Sequence, residues 1–346
     1  MSVLFVLVAI LGLALLMIIH EGGHYLAARY FGMRVQRFSI GFGPALYKKQ
    51  PKGSSTVFQI AIIPFLAYVQ IDGMNPFEEI DPNDKASYAN APLHARVITI
   101  FAGPFANYVA ASLLFFVALM VGGVAELSTE VRVMPGSAAE AAQMQTGDTI
   151  VSVNGVRIEQ FEQVRDQVAN RVGQTTPIEV RRGDKLVTLE VVPKKAEDGD
   201  RGVIGVMAGV TRVPVSIGKA AWLSIKQPPL IVYELVAGLG KIIMRKVSPQ
   251  LSGPVGIVNE MTKAVKRGFA DYVGLLGVLS AYLAGFNLLP FPALDGGRLM
   301  FLGYEAATRR RPNARVEAHI HAVGLILLLS LVAVVTVFSD VAQLGE

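Results

Sequence analysis

His20-Glu21-Gly22-Gly23-His24 has the residue types and spacing that a hydrolytic metal centre needs. Residues four apart share one face of a helix, so both imidazoles can reach a single ion. Glu21 lies beside them, placed to take a proton from a metal-bound water. A chance match at a helix end is the competing reading, since His and Glu are common at interfaces. The uncharged apolar run 2–19 just before it counts against chance, because ionisable groups at membrane depth are costly and mark function. Gly22 and Gly23 each lower helix propensity by ~1 kcal/mol, a cost explained either by close approach of another backbone or by simple tolerance in a helix that gains its stability from lipid. A catalytic zinc takes three protein ligands and leaves one position open. The chain has no cysteine, so the ligands must be His, Asp or Glu. Asp295 is the candidate third ligand. Pro290 and Pro292 break an apolar span ahead of it, and Gly296-Gly297 permit a tight turn after it. Such backbone is tolerated in a bilayer only where protein buries it or it lines a cavity. Alone, Asp295 reads equally as the cap of a helix starting near Arg298. With the histidine pair upstream, the ligand reading is preferred.

The elements that must position these groups are membrane elements. Of 346 residues, 52% are hydrophobic and 17% charged, and mean hydropathy is +0.46. Soluble domains carry about a quarter charged residues, so this is a membrane protein with a modest aqueous portion. The net charge of +5 has no aromatic interleaving, and no nucleic-acid partner is expected. Residues 2–19 read as a retained first span, lacking the basic leader and small-residue cleavage site of a signal peptide. Further spans are expected at 97–124, 273–289 and 321–338. Residues 33–73 turn strand-like, with a polar turn at 48–55, which predicts a membrane-associated β-hairpin. Residues 75–92 read as a loop. The stretch 225–244 is apolar but interrupted by Lys226, Pro228-Pro229, Glu234 and Lys241, which fits an amphipathic helix on the membrane surface. His94, His319 and His321 fall near span ends and read as interfacial polar residues.

Four stretches together carry a family resemblance: HEGGH at 20–24, FSIGFGP at 38–44, AGPFAN at 102–107 and NLLPFPALDGG at 287–297. They resemble the site-2 protease family of intramembrane zinc metalloproteases. Order and spacing are closest to the bacterial regulator of sigma-E protease branch. The resemblance covers nearly the whole chain. It implies His20, His24 and Asp295 as Zn2+ ligands and Glu21 as catalytic base. It further implies that Asn287 holds the substrate backbone, with Gly41, Gly43, Pro290 and Pro292 also at the substrate. The hairpin after Gly32 would present an edge strand, on which an unwound peptide can pair.

The soluble stretch 127–213 resembles a PDZ domain. Its Ile150, Val151 and Val153 predict a short strand, and Asn154-Gly155 a hairpin turn. Val203, Ile204, Gly205 and Val206 lie in either a loop whose amides receive a peptide carboxylate or an ordinary glycine-rich turn. Gram-negative members similar to this chain often carry two such domains, whereas this chain has room for one. The expected fold is a polytopic α-helical membrane protein of about four transmembrane helices, with a membrane-associated β-hairpin and an inserted extracytoplasmic PDZ domain (α+β). The divisions expected are 1–32, first helix with HExxH; 33–73, hairpin region; 74–126, loop and second helix; and 127–213, PDZ domain. A membrane-surface segment at 214–268 and the last two helices at 269–346 complete them. Basic clusters follow the first span (Arg29, Arg34, Arg37, Lys48, Lys49, Lys52) and the third (Arg298, Arg309, Arg310, Arg311, Arg315), which puts both on the cytoplasmic side. The family implies a bacterial inner-membrane endopeptidase of single-span membrane proteins, in regulated proteolysis or removal of remnant signal peptides. A catalytically silent PDZ receptor binding partner C-termini is the alternative; a transporter would need repeats and paired broken helices, which are not found.

Overall fold

The computed structural model describes residues 3–75, 78, 81–196, 199–244 and 253–337. By its contacts the chain divides into two units, 1–121 with 216–346 and 122–215. In the first unit, the leading apolar run folds as α1 (Val3–Tyr30). At 1.5 Å per residue its 28 residues reach roughly 42 Å, more than the ~30 Å hydrocarbon core of a bilayer. Leu4, Leu7, Leu11 and Leu15 stay exposed, while Ala9, Leu16, His20, Gly23 and His24 turn inward. An apolar outer face on a helix of this length is suited to lipid.

β1 (Val35–Lys49) and β2 (Val57–Ile71) follow, where the sequence predicts a hairpin. The pairing is richer than a hairpin. Residues 58–61 pair in descending order with 45–49, while 57–60 pair in ascending order with 37–40. Residues 67–71 then cover the other side of 35–40, giving a sheet of four runs from two strands. Gly41 and Gly43, with φ of +92° and +94°, sit where β1 changes partner. A positive φ there re-aims the strand, which a side-chain-bearing residue resists. Run 67–71 is the sheet edge that faces α1.

α2 (Leu93–Gly122) is the second long apolar helix and carries Pro104 in its interior. The second unit begins beyond it. Strands β3 (Val124–Val133), β4 (Thr149–Val153), β5 (Val156–Arg157), β6 (Thr176–Arg182) and β7 (Lys185–Val191) are joined by two short helices, α3 (Ala138–Ala141) and α4 (Phe161–Val168). A small pair, β8 (Lys194–Lys195) and β9 (Gly202–Val203), precedes β10 (Val206–Val213). The sheet runs β10-β3-β4-β6-β7, with β5 folded onto β4. Asn154 and Gly155 both have positive φ, forming the expected hairpin turn. Val131, Ile150, Val153, Ile178, Val180 and Val191 fill the unit's own core, against Val164 and Val168 of α4. Arg182 locks this unit by pairing with buried Asp148 at 2.7 Å and reaching the Gln143 carbonyl.

The chain then returns to the first unit. The stretch expected as one surface segment folds as two helices, α5 (Ile217–Ile243) and α6 (Pro254–Arg267); residues 245–252 lie outside the described residues. α5 seats Ile231 against Ala111 and Phe115 of α2. α6 packs Met261 against Ala9 and Leu16 of α1. α7 (Phe269–Asn287), α8 (Asp295–Thr308) and α9 (Ala314–Val335) complete the unit. Among the described residues, four helices are long and apolar enough to cross a membrane: α1, α2, α7 and α9. α5 is long but fails on apolarity.

Candidate metal centre

HExxH lies inside α1, so its two histidines project from one face over the crossing with α2. That crossing is close. A Cβ at Gly23 would lie 2.2 Å from the Ala102 carbonyl oxygen, and one at Gly103 only 2.2 Å from His24 Nε2. The AGP stretch of α2 is therefore the surface on which the His24 imidazole rests.

α2 also orients both rings. His24 Nδ1–H donates to the Thr99 carbonyl at 2.8 Å, leaving Nε2 as a bare lone pair. His20 Nδ1 faces the Asn107 side-chain amide at 3.3 Å, while Asn107 Oδ1 is buried without a partner. Amide oxygen and nitrogen are assigned from their hydrogen bonds. Turning the amide so that Oδ1 accepts from His20 Nδ1–H satisfies that orphan and bares Nε2 of His20. Asn107 is itself held, since Ser280 of α7 donates to its carbonyl at 2.8 Å.

The third member arrives from α8. Asp295 Oδ2 lies 3.2 Å from His20 Nε2 and 3.3 Å from His24 Nε2, and the two Nε2 atoms are 3.2 Å apart. Asp295 Oδ2 is buried, with no hydrogen-bond donor. With each ring's proton on Nδ1, three lone-pair atoms converge here, an arrangement that a bound cation relieves. Ligands of a tetrahedral zinc ion at ~2.0–2.1 Å stand roughly 3.3 Å apart, so the spacing fits that ion. Among the described residues this is the one cluster of three His, Asp or Glu able to hold a metal.

The sequence model of peptidase family M50 matches residues 8–331. The chain belongs to peptidase family M50, the site-2 proteases. A relative from Nostoc sp., named "Putative zinc metalloprotease", is 32% identical, covering 94% of this chain and 93% of its own. Relatives with the same descriptive name from Fusobacterium nucleatum and Mesorhizobium japonicum are 31% and 33% identical, covering 98% and 92% of this chain and 98% and 93% of theirs. As a member of family M50 with four apolar helices, the chain is a membrane zinc metalloendopeptidase.

The other residues singled out in the sequence fall as follows. Glu21 is half-buried, and its Oε2 accepts the Val69 N–H at 3.0 Å from the edge run of the sheet. Asn287 ends α7, with its amide donating to the Leu283 carbonyl of its own helix. Pro290 and Pro292 line a largely apolar cavity of about 570 Å3 with Met300, Phe301, Tyr304 and Ile320. Ile204 is buried and Gly205 has a φ of +74°. Their carbonyls accept from Ala139 and Met134, and among the described residues no bond leaves either N–H. A cleft on this unit is lined elsewhere, by residues of β4 to β7. Sequence reasoning missed Thr99, Gly103, Asn107 and His321. Thr99 acts through a carbonyl and leaves no side-chain signal. Gly103 and Asn107 sit in the AGPFAN stretch, whose position was legible but whose task was not. His321 is not merely interfacial, for its Nδ1 accepts the Ala293 N–H at 2.9 Å.

Proposed function

We propose that His20, His24 and Asp295 hold the zinc ion and that Glu21 is the general base, in hydrolysis of peptide bonds in or near the transmembrane segment of single-span membrane proteins. The convergence of three ligand atoms within 3.3 Å of one another carries this reading. A bound zinc ion supplies Lewis-acid chemistry, acidifying water and polarising a carbonyl. Glu21 takes the proton of the attacking water and returns it to the departing amide nitrogen. The Val69 N–H fixes Oε2, leaving Oε1 free for that proton. The same bond ties the base to the 67–71 edge, where an extended substrate adds as a further strand. Asn287, Gly41 and Gly43 serve that strand, and the apolar cavity at Pro290 and Pro292 takes side chains of an unwound membrane segment.

The active site faces the cytoplasmic side of a bacterial inner membrane. Residues 122–215 form an extracytoplasmic PDZ domain, supported by β10 at an open sheet edge and the free amides of Ile204 and Gly205. Regulated cleavage, of an anti-sigma factor or of remnant signal peptides, is the task this arrangement fits. Purified Glu21→Gln should retain zinc and lose cleavage of a single-span substrate, whereas Asp295→Ala should lose both. Normal turnover by Glu21→Gln, or full zinc content in Asp295→Ala, contradicts the assignment.

A further inference from the structure

We propose that His321 on α9 is a positioning residue for Asp295, acting through the backbone of Ala293. The inference rests on Asp295 being a zinc ligand. Between α7 and α8 the chain passes through consecutive tight turns, closed by bonds from Phe291 N–H to Leu289, Leu294 N–H to Phe291 and Gly297 N–H to Leu294. Within them Ala293 holds a φ of +75°. That region is disfavoured for an L-residue, and alanine has no polar side chain to offset it. It persists only where the surroundings over-determine it.

α9 supplies that constraint from two positions one turn apart on the same face. His321 Nδ1 accepts the Ala293 N–H at 2.9 Å. At Gly324 a Cβ would stand 2.3 Å from Pro292 Cβ and 2.7 Å from its carbonyl oxygen, so the helix backbone lies directly on Pro292. Gly324 is also the buried residue of α9, most of whose other residues are exposed. The fourth membrane helix thus presses on the loop with the residues that fix Ala293. Because His321 accepts at Nδ1, its proton is on Nε2, which is buried without a partner. The ring's duty is toward Ala293. Relaxation of Ala293 to negative φ, two residues before Asp295, would swing the carboxylate out of the narrow spacing a zinc ion requires.

The test is zinc release to a chelator from the purified, zinc-loaded full chain. His321→Asn keeps an acceptor oxygen where Nδ1 stood, His321→Gln moves it to the Nε2 position and His321→Leu removes it. Release from the Leu and Gln variants should be about tenfold faster, and from Asn within about twofold of the parent. In an Ala293→Gly background, where positive φ carries no penalty, the Leu effect should shrink to about threefold or less. Equal behaviour of Asn and Gln, or a Leu effect undiminished by Ala293→Gly, overturns the proposal. Should His321→Leu not fold, the Asn and Gln pair decides alone. Asp295→Ala run alongside separates the two readings, since full zinc retention there removes the ligand assignment whatever His321 does.

Discussion

His24 is held by the Thr99 carbonyl at Nδ1 and by the glycine surface of α2 beneath the ring, with Asp295 Oδ2 facing its Nε2 at 3.3 Å. Removing the space at Gly103 should therefore be severe. Gly103→Ala would set a methyl 2.2 Å from Nε2, against a ring with nowhere to move. Zinc content of the purified variant should fall, and a normal content would show that α2 can back away. At His20 the orienting partner is Asn107. Asn107→Asp supplies an unambiguous acceptor for Nδ1–H and should keep zinc, whereas Asn107→Leu should weaken it about 10–100-fold. Competition with a chelator of known affinity measures both. Like losses from Asp and Leu would place the donor side of the amide, not its oxygen, at the ring.

At the scale of elements, α8 must carry Asp295 to α1, and α2 holds it there. Arg96 of α2, 6% exposed, forks onto Glu305 of α8, with one arm at 2.9 Å and the other closer still. Deleting one partner of such a pair leaves a buried charge and costs about 3–5 kcal/mol, while replacing both with apolar residues is far milder. Glu305→Leu should lower the unfolding temperature markedly, and Arg96→Met with Glu305→Leu should recover most of it. The hydrogen bond from Arg96 holds the Glu305 carboxyl below its usual range, with Arg311 adding to it. A depressed carboxyl contributes stability above its unfolded value of ~4.3 and loses it as pH falls through the folded value. Asp148 behaves alike in the second unit: burial raises its pKa, but the bond from Arg182, the Gln145 N–H and the Arg182 charge together outweigh that and leave it lowered. Thermal scans should thus be flat with respect to these groups from neutrality to about pH 5 and fall steeply below about pH 4. Glu305→Gln should blunt that fall in the membrane unit, and an unchanged profile would remove Glu305 from the account.

For the molecule as a whole, the proposed ligands, two on α1 and one on α8, must reach the same membrane face. That requires an even number of spans between them, and α2 and α7 supply two. Since the native chain has no cysteine, single cysteines report sidedness directly. Cysteines at Ser54 and Asn313 should resist an impermeant reagent in intact cells, while one at Gln174 should react. Labelling at Asn313 from outside would break the parity and with it the metal site. The second unit has its own core, so deleting residues 122–215 should leave basal cleavage of a short substrate and change which larger ones are accepted. Complete inactivity of a well-folded deletion would make that unit part of the active site.

The four apolar helices, the metal motif on the first and the odd backbone around Asp295 were all legible in the sequence. Each is written in local composition or fixed spacing: an unbroken apolar run, a four-residue interval, prolines and glycines beside a carboxylate. Asn154-Gly155 was legible for the same reason, because a tight turn is chosen by the residues inside it. What the residues could not declare was partnership across the chain. The strand patterns predict two strands, but not that 57–60 would lie between 37–40 and 45–49, since every alternating run is equally ready to pair on either edge. Met261 lies in the stretch expected at the membrane surface, and is core in the fold because α6 packs against α1 and α7. His321 and Asn107 carry side chains whose meaning depends on an atom 28 or 87 residues away. Their roles follow from three-dimensional proximity, which spacing along one helix or strand does not encode.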